Sequence, residues 1–141
     1  ECDLIVAEAG TQFQITETSR GLGAPKYWGL MHYRQAGAFG TEMALTGRFF
    51  TAEEAFEAGA INRVAPKGHH LEIARELADE VCKNPPLSVR ATVRSRRWYM
   101  HRQSQEIMMH SAPLKLYLTE DFHEAASAFA EKRPPKSFKG R

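Results

Sequence analysis

The chain has 141 residues, of which 43% are hydrophobic and 26% are charged, and its formal net charge at pH 7 is +2. This composition is typical of a soluble globular protein of one domain, and the small net charge argues against nucleic acid as a partner. No apolar run approaches the roughly 18 residues that span a lipid bilayer, so we expect no membrane partner.

Cysteine and histidine usage indicates neither a metal site nor a disulfide framework, because Cys2, Cys82 and the six histidines lack metal-ligand spacing. It indicates a reducing compartment, the cytoplasm or, in a eukaryote, an organelle matrix. The chain starts at Glu1 without an initiator methionine or a leader, so we expect a fragment or a processed product.

The first third of the chain predicts strands and turns. Residues 4–7 form a continuous apolar run, as in a strand buried on both faces, and residues 12–15 predict a second short strand. Polar residues 16–19 predict a loop, and the glycines and proline of residues 21–25 predict a turn. Because two strands do not make a stable open sheet, the buried run should need further strand neighbours.

The middle of the chain predicts two capped helices. Thr41 is expected to cap a short helix that ends at Gly47, since glycine readily adopts the left-handed conformation at a helix C-terminus. Thr51 and Glu54 have the spacing of a capping box, which predicts a second helix. Gly59 should end that helix before a short strand.

The second half of the chain predicts three helices. Together with the strands predicted in the first third, they make the expected fold class α/β. Residues 71–82 are amphipathic, residues 87–109 follow two prolines, and Thr119 is expected to cap a last helix that reaches about Lys132. The arginines of residues 90–102 are typical of a solvated helix face; nucleic-acid binding, the alternative, would require a binding motif that the chain lacks.

Several separated blocks, in this order and spacing, resemble the crotonase (enoyl-CoA hydratase/isomerase) superfamily. They are residues 45–48, residues 51–55, Gly59, residues 62–64 and residues 129–133. The resemblance implies the last turns of a ββα spiral over residues 1–66, followed over residues 67–141 by a helical C-terminal region that trimerises and contacts CoA. It also implies a homo-oligomer (a trimer or a dimer of trimers), and a missing N-terminal half.

The resemblance makes Glu17 the candidate acid/base, although a glutamate in a polar loop is by itself usually solvated. In the family a phenylalanine at a strand end precedes the catalytic acid by four residues, as Phe13 precedes Glu17. In hydratases this acid works with a second glutamate on water addition to an acyl-CoA thioester; in isomerases it moves a proton between carbons. The second glutamate and both oxyanion-hole N–H groups would lie upstream of Cys2.

The segment after Glu17 departs from the family pattern. Gly21 and Gly23 stand in a passage that replaces the family's Pro-Gly-small-Gly-Gly, and Tyr27 and Trp28 follow. They form either a turn with aromatic core residues or a remodelled acyl pocket, so all four are candidate substrate contacts.

The last block implies contact with the nucleotide end of CoA. Phe129 and Lys132 match family positions with this role, since a ring can pack on adenine and a lysine can pair with phosphate. The alternative is a lysine that merely ends a helix. CoA is part of the acyl-CoA substrate, so the resemblance implies no cofactor.

Enoyl-CoA hydration is therefore the expected activity of the parent protein. The alternatives are isomerisation of an unsaturated acyl-CoA through the same Glu17, another crotonase reaction, or a non-catalytic assembly module.

Overall fold

The computed structural model describes residues 2–34 and 36–141. In that part of the chain it has four strands: β1 (Val6–Glu8), β2 (Gln12–Gln14), β3 (Phe49–Thr51) and β4 (Arg63–Ala65). The helices are α1 (Pro25–Tyr33), α2 (Gly37–Thr46), α3 (Ala52–Glu57), α4 (His70–Cys82), α5 (Pro86–Ser111) and α6 (Glu120–Ala130). Short 3₁₀ turns form at Thr18–Arg20, Ala112–Leu114 and Leu116–Leu118.

The strands form two small sheets. β1 pairs in parallel with β4, with Ala7 opposite Val64, and β2 pairs antiparallel with β3, with Phe13 opposite Phe50. Both predicted N-terminal strands form, although β1 starts at Val6 rather than at Leu4, and β1 finds a neighbour, β4, within the chain itself. The expected burial on both faces is wrong, because Leu4 is exposed and Ala7 is the one fully buried residue of β1. Strand β3 was not expected, because a three-residue strand has no periodicity to read and exists through its pairing with β2.

The core lies between these sheets and helices α2 and α3. It consists mostly of alanines around four larger buried side chains, Ile15, Met43, Phe50 and Ile61. Met43 is completely buried, and the Phe50 ring stacks on Phe13 at a centroid separation of 5.6 Å. Small side chains let helix α2 approach the sheets closely, which brings its C-terminal end next to the segment that follows β2.

The capping predictions in the middle of the chain are largely confirmed. The Thr51 hydroxyl accepts a hydrogen bond from the Glu54 N–H, and the Glu54 carboxylate accepts one from the Thr51 N–H. Gly47 ends α2 in the left-handed conformation. The prediction for Thr41 is wrong: α2 begins at Gly37, and the Thr41 hydroxyl donates to the Gly37 carbonyl from within the helix.

Helix α1 was also not expected, because the glycines before it read as a turn. Pro25 occupies its first turn, where a missing N–H costs nothing. The predicted helices α4 and α5 are confirmed, although neither buries any side chain fully in the described chain. No helix of residues 2–34 or 36–141 has the length and apolarity needed to cross a membrane.

Helix α6 is capped by Thr119 as expected, but it ends at Ala130, short of Lys132. The chain after it folds back along the acidic side of α6. Glu124 accepts hydrogen bonds from the Arg133 guanidinium and the Lys136 N–H, while Asp121 accepts them from the N–H groups of Lys139 and Gly140. The tail therefore braces the helix along its length.

Candidate functional site

Glu17 lies just after strand β2, at the start of the 3₁₀ turn Thr18–Arg20. Its carbonyl accepts hydrogen bonds from the N–H groups of Arg20 (3.0 Å) and Leu22 (2.8 Å), so its backbone is fixed. Its half-buried side chain makes no hydrogen bond or ion pair with any residue that the structure describes. A carboxylate without a structural partner remains available for proton transfer.

One side of this turn is anchored on the C-terminal end of α2. The Thr18 hydroxyl donates to the Ala44 carbonyl at 2.5 Å, and the Gln14 side-chain amide donates to the Gly47 carbonyl at 2.6 Å. Both acceptors belong to the end of α2, where carbonyls lack partners within the helix. These two hydrogen bonds therefore provide partners for carbonyls at the end of α2, and they also hold the turn in place.

The other side of the turn packs on helix α6. Gly21 has φ of 74°, and a Cβ added there would lie only 2.8 Å from the Phe122 Cα. The Arg20 guanidinium carbon lies 3.6 Å from the centre of the Phe129 ring. The fold therefore brings Phe129, which lies far along the chain, next to the turn that carries Glu17 and Gly21. Because Arg20 covers one face of the ring, an adenine would have to pack against another part of Phe129.

Trp28 lines a cavity of about 290 Å³ beside the Glu17 turn. The other lining residues are Thr18, Ala24, Pro25, Thr41, Ala44 and Leu45. The Trp28 indole N–H donates to the Thr41 hydroxyl at 2.9 Å, and the hydroxyls of Thr18 and Thr41 donate to backbone carbonyls. Because these donors are already used, the cavity offers mainly apolar surface to a ligand.

Tyr27 faces a different cavity of about 190 Å³, which also contacts Phe13 and Ile15. The structure thus does not bring Tyr27 and Trp28 into one pocket, because consecutive helical residues point in different directions. Gly23 is exposed, and a Cβ there would lie 3.5 Å from the Leu116 side chain.

Lys132 is exposed and takes an unusual backbone conformation directly after α6. Its φ is 54°, in the left-handed region where glycine is the common residue. The Lys132 N–H donates to the Phe129 carbonyl, and the Arg133 N–H donates to the Ala128 carbonyl, which together form a Schellman motif. A side chain in this conformation costs about 1 kcal/mol, which a glycine would avoid.

Arg133 clamps the segment around Lys132. Its guanidinium binds both carboxylate oxygens of Glu124, at 2.5 and 3.2 Å, and also binds Glu131. Hydrogen bonds from Arg133 and from the Lys136 N–H lower the pKa of Glu124 to about 2 from its usual 4.5. The clamp therefore stays ionised at neutral pH and holds the chain in the left-handed turn.

The remaining chemical groups of the described chain do not form a second site of this kind. No three His, Cys, Asp or Glu side chains among residues 2–34 and 36–141 lie together as metal ligands would. In the arginine cluster, Arg96 and Arg97 both bind the Asp3 carboxylate, which lowers the pKa of Asp3. Part of that cluster therefore serves an internal ion pair.

Two residues of the site were missed at the level of the sequence. Thr18 anchors the turn to α2, and Arg20 contacts the α6 ring. The one sequence feature that could have indicated them is their position in the loop directly after Glu17. Their partners, however, are far along the chain, and nothing in the local pattern identifies them.

Known proteins of similar sequence and fold share this arrangement of elements. The enoyl-CoA hydratase/isomerase family matches residues 1–141. The 2,3-dehydroadipyl-CoA hydratase of Escherichia coli (strain K12) is 34% identical over 149 residues, covering 99% of this chain and 56% of that protein. The carnitinyl-CoA dehydratase of Proteus mirabilis (strain HI4320) is 35% identical over 152 residues, covering 99% and 56%.

Among solved structures, the carnitinyl-CoA hydratase from Mycobacterium avium matches with a TM-score of 0.83 and 31% identity, covering 99% of this chain and 55% of that chain. The chain spans about half the length of the curated relatives it matches. Because the family match extends over all 141 residues and two relatives above 30% identity align with nearly the whole chain, the chain belongs to the enoyl-CoA hydratase/isomerase family of the crotonase superfamily.

Proposed function

We propose that this chain takes part in enoyl-CoA hydration, the addition of water to an α,β-unsaturated acyl-CoA thioester, with Glu17 as an acid/base. The observation that carries the proposal is the position of the Glu17 carboxylate, which has no structural partner in the described chain and lies on a turn fixed from two sides. Membership of the enoyl-CoA hydratase/isomerase family supports the choice of substrate class.

The chemistry requires two proton transfers. Water oxygen bonds to the β-carbon and loses a proton, while the electrons of the double bond move onto the thioester oxygen as an enolate. The α-carbon then takes a proton and the thioester carbonyl is restored. Glu17 carries out proton transfer in this sequence, and a positioned carboxylate of this kind is worth about 10²–10⁴-fold in rate.

The enolate oxygen needs hydrogen-bond donors, each worth about 10²–10³ in rate. We propose that these donors and a second carboxylate belong to a preceding N-terminal half, since the chain covers 56% of the E. coli hydratase. In this proposal residues 1–66 complete a spiral core, and residues 67–141 form the region through which copies assemble as a trimer or dimer of trimers. The assembled enzyme would act in the cytoplasm.

We further propose that the apolar cavity beside Trp28 receives the acyl group and that Lys132 and Phe129 contact CoA. The left-handed conformation of Lys132 supports its role, because backbone strain at a non-glycine residue often accompanies function. The exposed lysine would pair with a CoA phosphate, and the free part of the Phe129 ring would pack against adenine.

Isomerisation is the second candidate, and the partnerless carboxylate of Glu17 also favours it. One carboxylate can take a proton from one carbon of an unsaturated acyl group and return it to another. Product analysis separates the two activities, because only hydration adds the mass of one water molecule.

The test is Glu17→Gln in the full-length gene product, with Glu57→Gln as the matched control. Glu57 is an exposed carboxylate on α3. Glutamine keeps the shape of Glu17 but cannot transfer the proton, so turnover of crotonyl-CoA, followed by loss of enoyl-thioester absorbance, should fall by at least about 10²-fold. Turnover close to that of the control would remove Glu17 from the mechanism.

A further inference from the structure

We propose that Arg20 is a positioning residue that holds the Glu17 turn against helix α6 through the ring of Phe129. The inference rests on the proposed acid/base role of Glu17. It assigns to the C-terminal helix a task in catalysis that is separate from CoA contact.

The contact between Arg20 and Phe129 is close and specific. The guanidinium carbon lies 3.6 Å from the ring centroid, well within the range of about 6 Å in which a cation is attracted to an aromatic face. The guanidinium makes no hydrogen bond or ion pair with any residue that the structure describes. The aromatic ring is therefore what holds this side chain in place.

The backbone of Arg20 is hydrogen-bonded to the backbone of Glu17. The Arg20 N–H donates to the carbonyls of Thr16 (3.1 Å) and Glu17 (3.0 Å), so the three residues share one tight turn. The Glu17 carboxylate has no partner of its own in the described chain, so its position depends on this backbone. An acid/base group must lie within hydrogen-bond reach of the reacting atom, and a shift of about 1 Å can cost up to about 10²-fold.

Two independent supports hold the turn. On one side Thr18 binds the end of α2, and on the other Arg20 and Gly21 pack on α6. On the α2 side the turn is held by the side-chain hydrogen bonds of Thr18 and Gln14, and on the α6 side the contact is the one made by Arg20 and Gly21. Loss of the Arg20 contact should therefore leave the fold intact while it widens the range of Glu17 positions.

The principal alternative is that Phe129 only contacts the nucleotide of CoA. A pantetheine thioester separates the two roles, because it carries the acyl group and the thioester but no nucleotide. Loss of a CoA contact disappears with this substrate, whereas loss of Glu17 positioning persists.

The experiment uses the full-length gene product with Arg20→Gln, Arg20→Lys, Phe129→Leu and the Arg20→Gln/Phe129→Leu double variant. Arg102→Gln is the matched control, since the Arg102 guanidinium also lies over an aromatic ring, Trp98, at 5.8 Å. We expect Arg20→Gln and Phe129→Leu each to lower kcat for crotonyl-pantetheine about tenfold, with KM changed less than about twofold. The double variant should match the single ones, Arg20→Lys should recover part of the activity, and the control should equal the wild type.

A second readout does not depend on turnover. Trp28 lines the same cavity as Thr18 of the turn, so its emission reports on the turn in a background where Trp98 and every tryptophan outside residues 1–141 are replaced by phenylalanine. Arg20→Gln should shift this emission. Unchanged emission together with wild-type kcat, or additive effects in the double variant, would overturn the inference. The proposed function fails separately if Glu17→Gln retains turnover. In that case the emission shift of Arg20→Gln still shows whether Arg20 holds the turn in place.

Discussion

Replacement of Gly21 by alanine tests whether helix α6 really docks on the Glu17 turn. The added Cβ would lie 2.8 Å from the Phe122 Cα and 3.0 Å from its nitrogen, against 3.4–4 Å for ordinary contact. Neither side can yield by a side-chain rotation, because the neighbouring atoms belong to the backbone of α6. The helix or the turn would have to retreat by roughly 0.6 Å.

Two costs add at this position. A residue with a Cβ at a φ of 74° costs roughly 1–2 kcal/mol, and forced overpacking adds about 1–3 kcal/mol. Gly10→Ala is the matched control, since Gly10 has a φ of 77° but nothing within 4 Å of the added Cβ. Gly10→Ala should therefore show only the first cost, and Gly21→Ala the sum of both, about 2–5 kcal/mol.

The assay is urea unfolding of the full-length gene product followed by circular dichroism, with all variants at the same protein concentration. The quantity of interest is the difference between the two alanine variants, because the backbone cost cancels in it. A difference of about 1–3 kcal/mol is expected. Equal losses for Gly21→Ala and Gly10→Ala would refute the docking of α6 on the turn.

Three further predictions follow from the same geometry. Lys132→Ala should weaken binding of CoA by about 1 kcal/mol, roughly fivefold, and weaken binding of dephospho-CoA less; equal losses in calorimetry would make Lys132 only a helix-end charge. Because the folded-state pKa of Glu124 is about 2, below its usual 4.5, its clamp with Arg133 stabilises the fold fully above about pH 4.5 and progressively less as pH falls towards 2. The free energy of unfolding should therefore fall more steeply between pH 4.5 and pH 2 for the wild type than for Glu124→Gln. Parallel plots of this free energy against pH would contradict the clamp. The 141-residue chain expressed alone should not hydrate crotonyl-CoA, but co-expression of the preceding half should restore turnover; activity of the chain alone would show that the oxyanion donors lie within it.

Features that depend on residues close in sequence were predictable. The Thr51 and Glu54 capping box, the left-handed Gly47 and the Thr119 cap each join groups within a few residues of one another. The energies of these caps depend on the local backbone, so the amino-acid sequence of a short segment is enough to predict the caps. The family was likewise readable from separated blocks, and the comparisons confirm it.

Features that depend on distant partners needed the tertiary structure. Threonine is a residue type that often caps helices, but Thr41 lies inside α2 and its hydroxyl accepts a hydrogen bond from the Trp28 indole N–H. Its role is therefore set by tertiary packing. Residues 49–51 form a strand because β2 lies beside them, and no local pattern encodes that neighbour.

The candidate site divides in the same way. Glu17, Phe129 and Lys132 could be named from the sequence because their blocks resemble a family, although the roles of these residues remain predictions. Two contacts are visible only in the folded chain, where the turn packs against α6. Arg20 lies on the Phe129 ring, and Gly21 faces the backbone of α6. The reason is physical: caps draw on energies within one turn of chain, whereas the site is made by contacts whose partners are chosen by the packing of the whole fold.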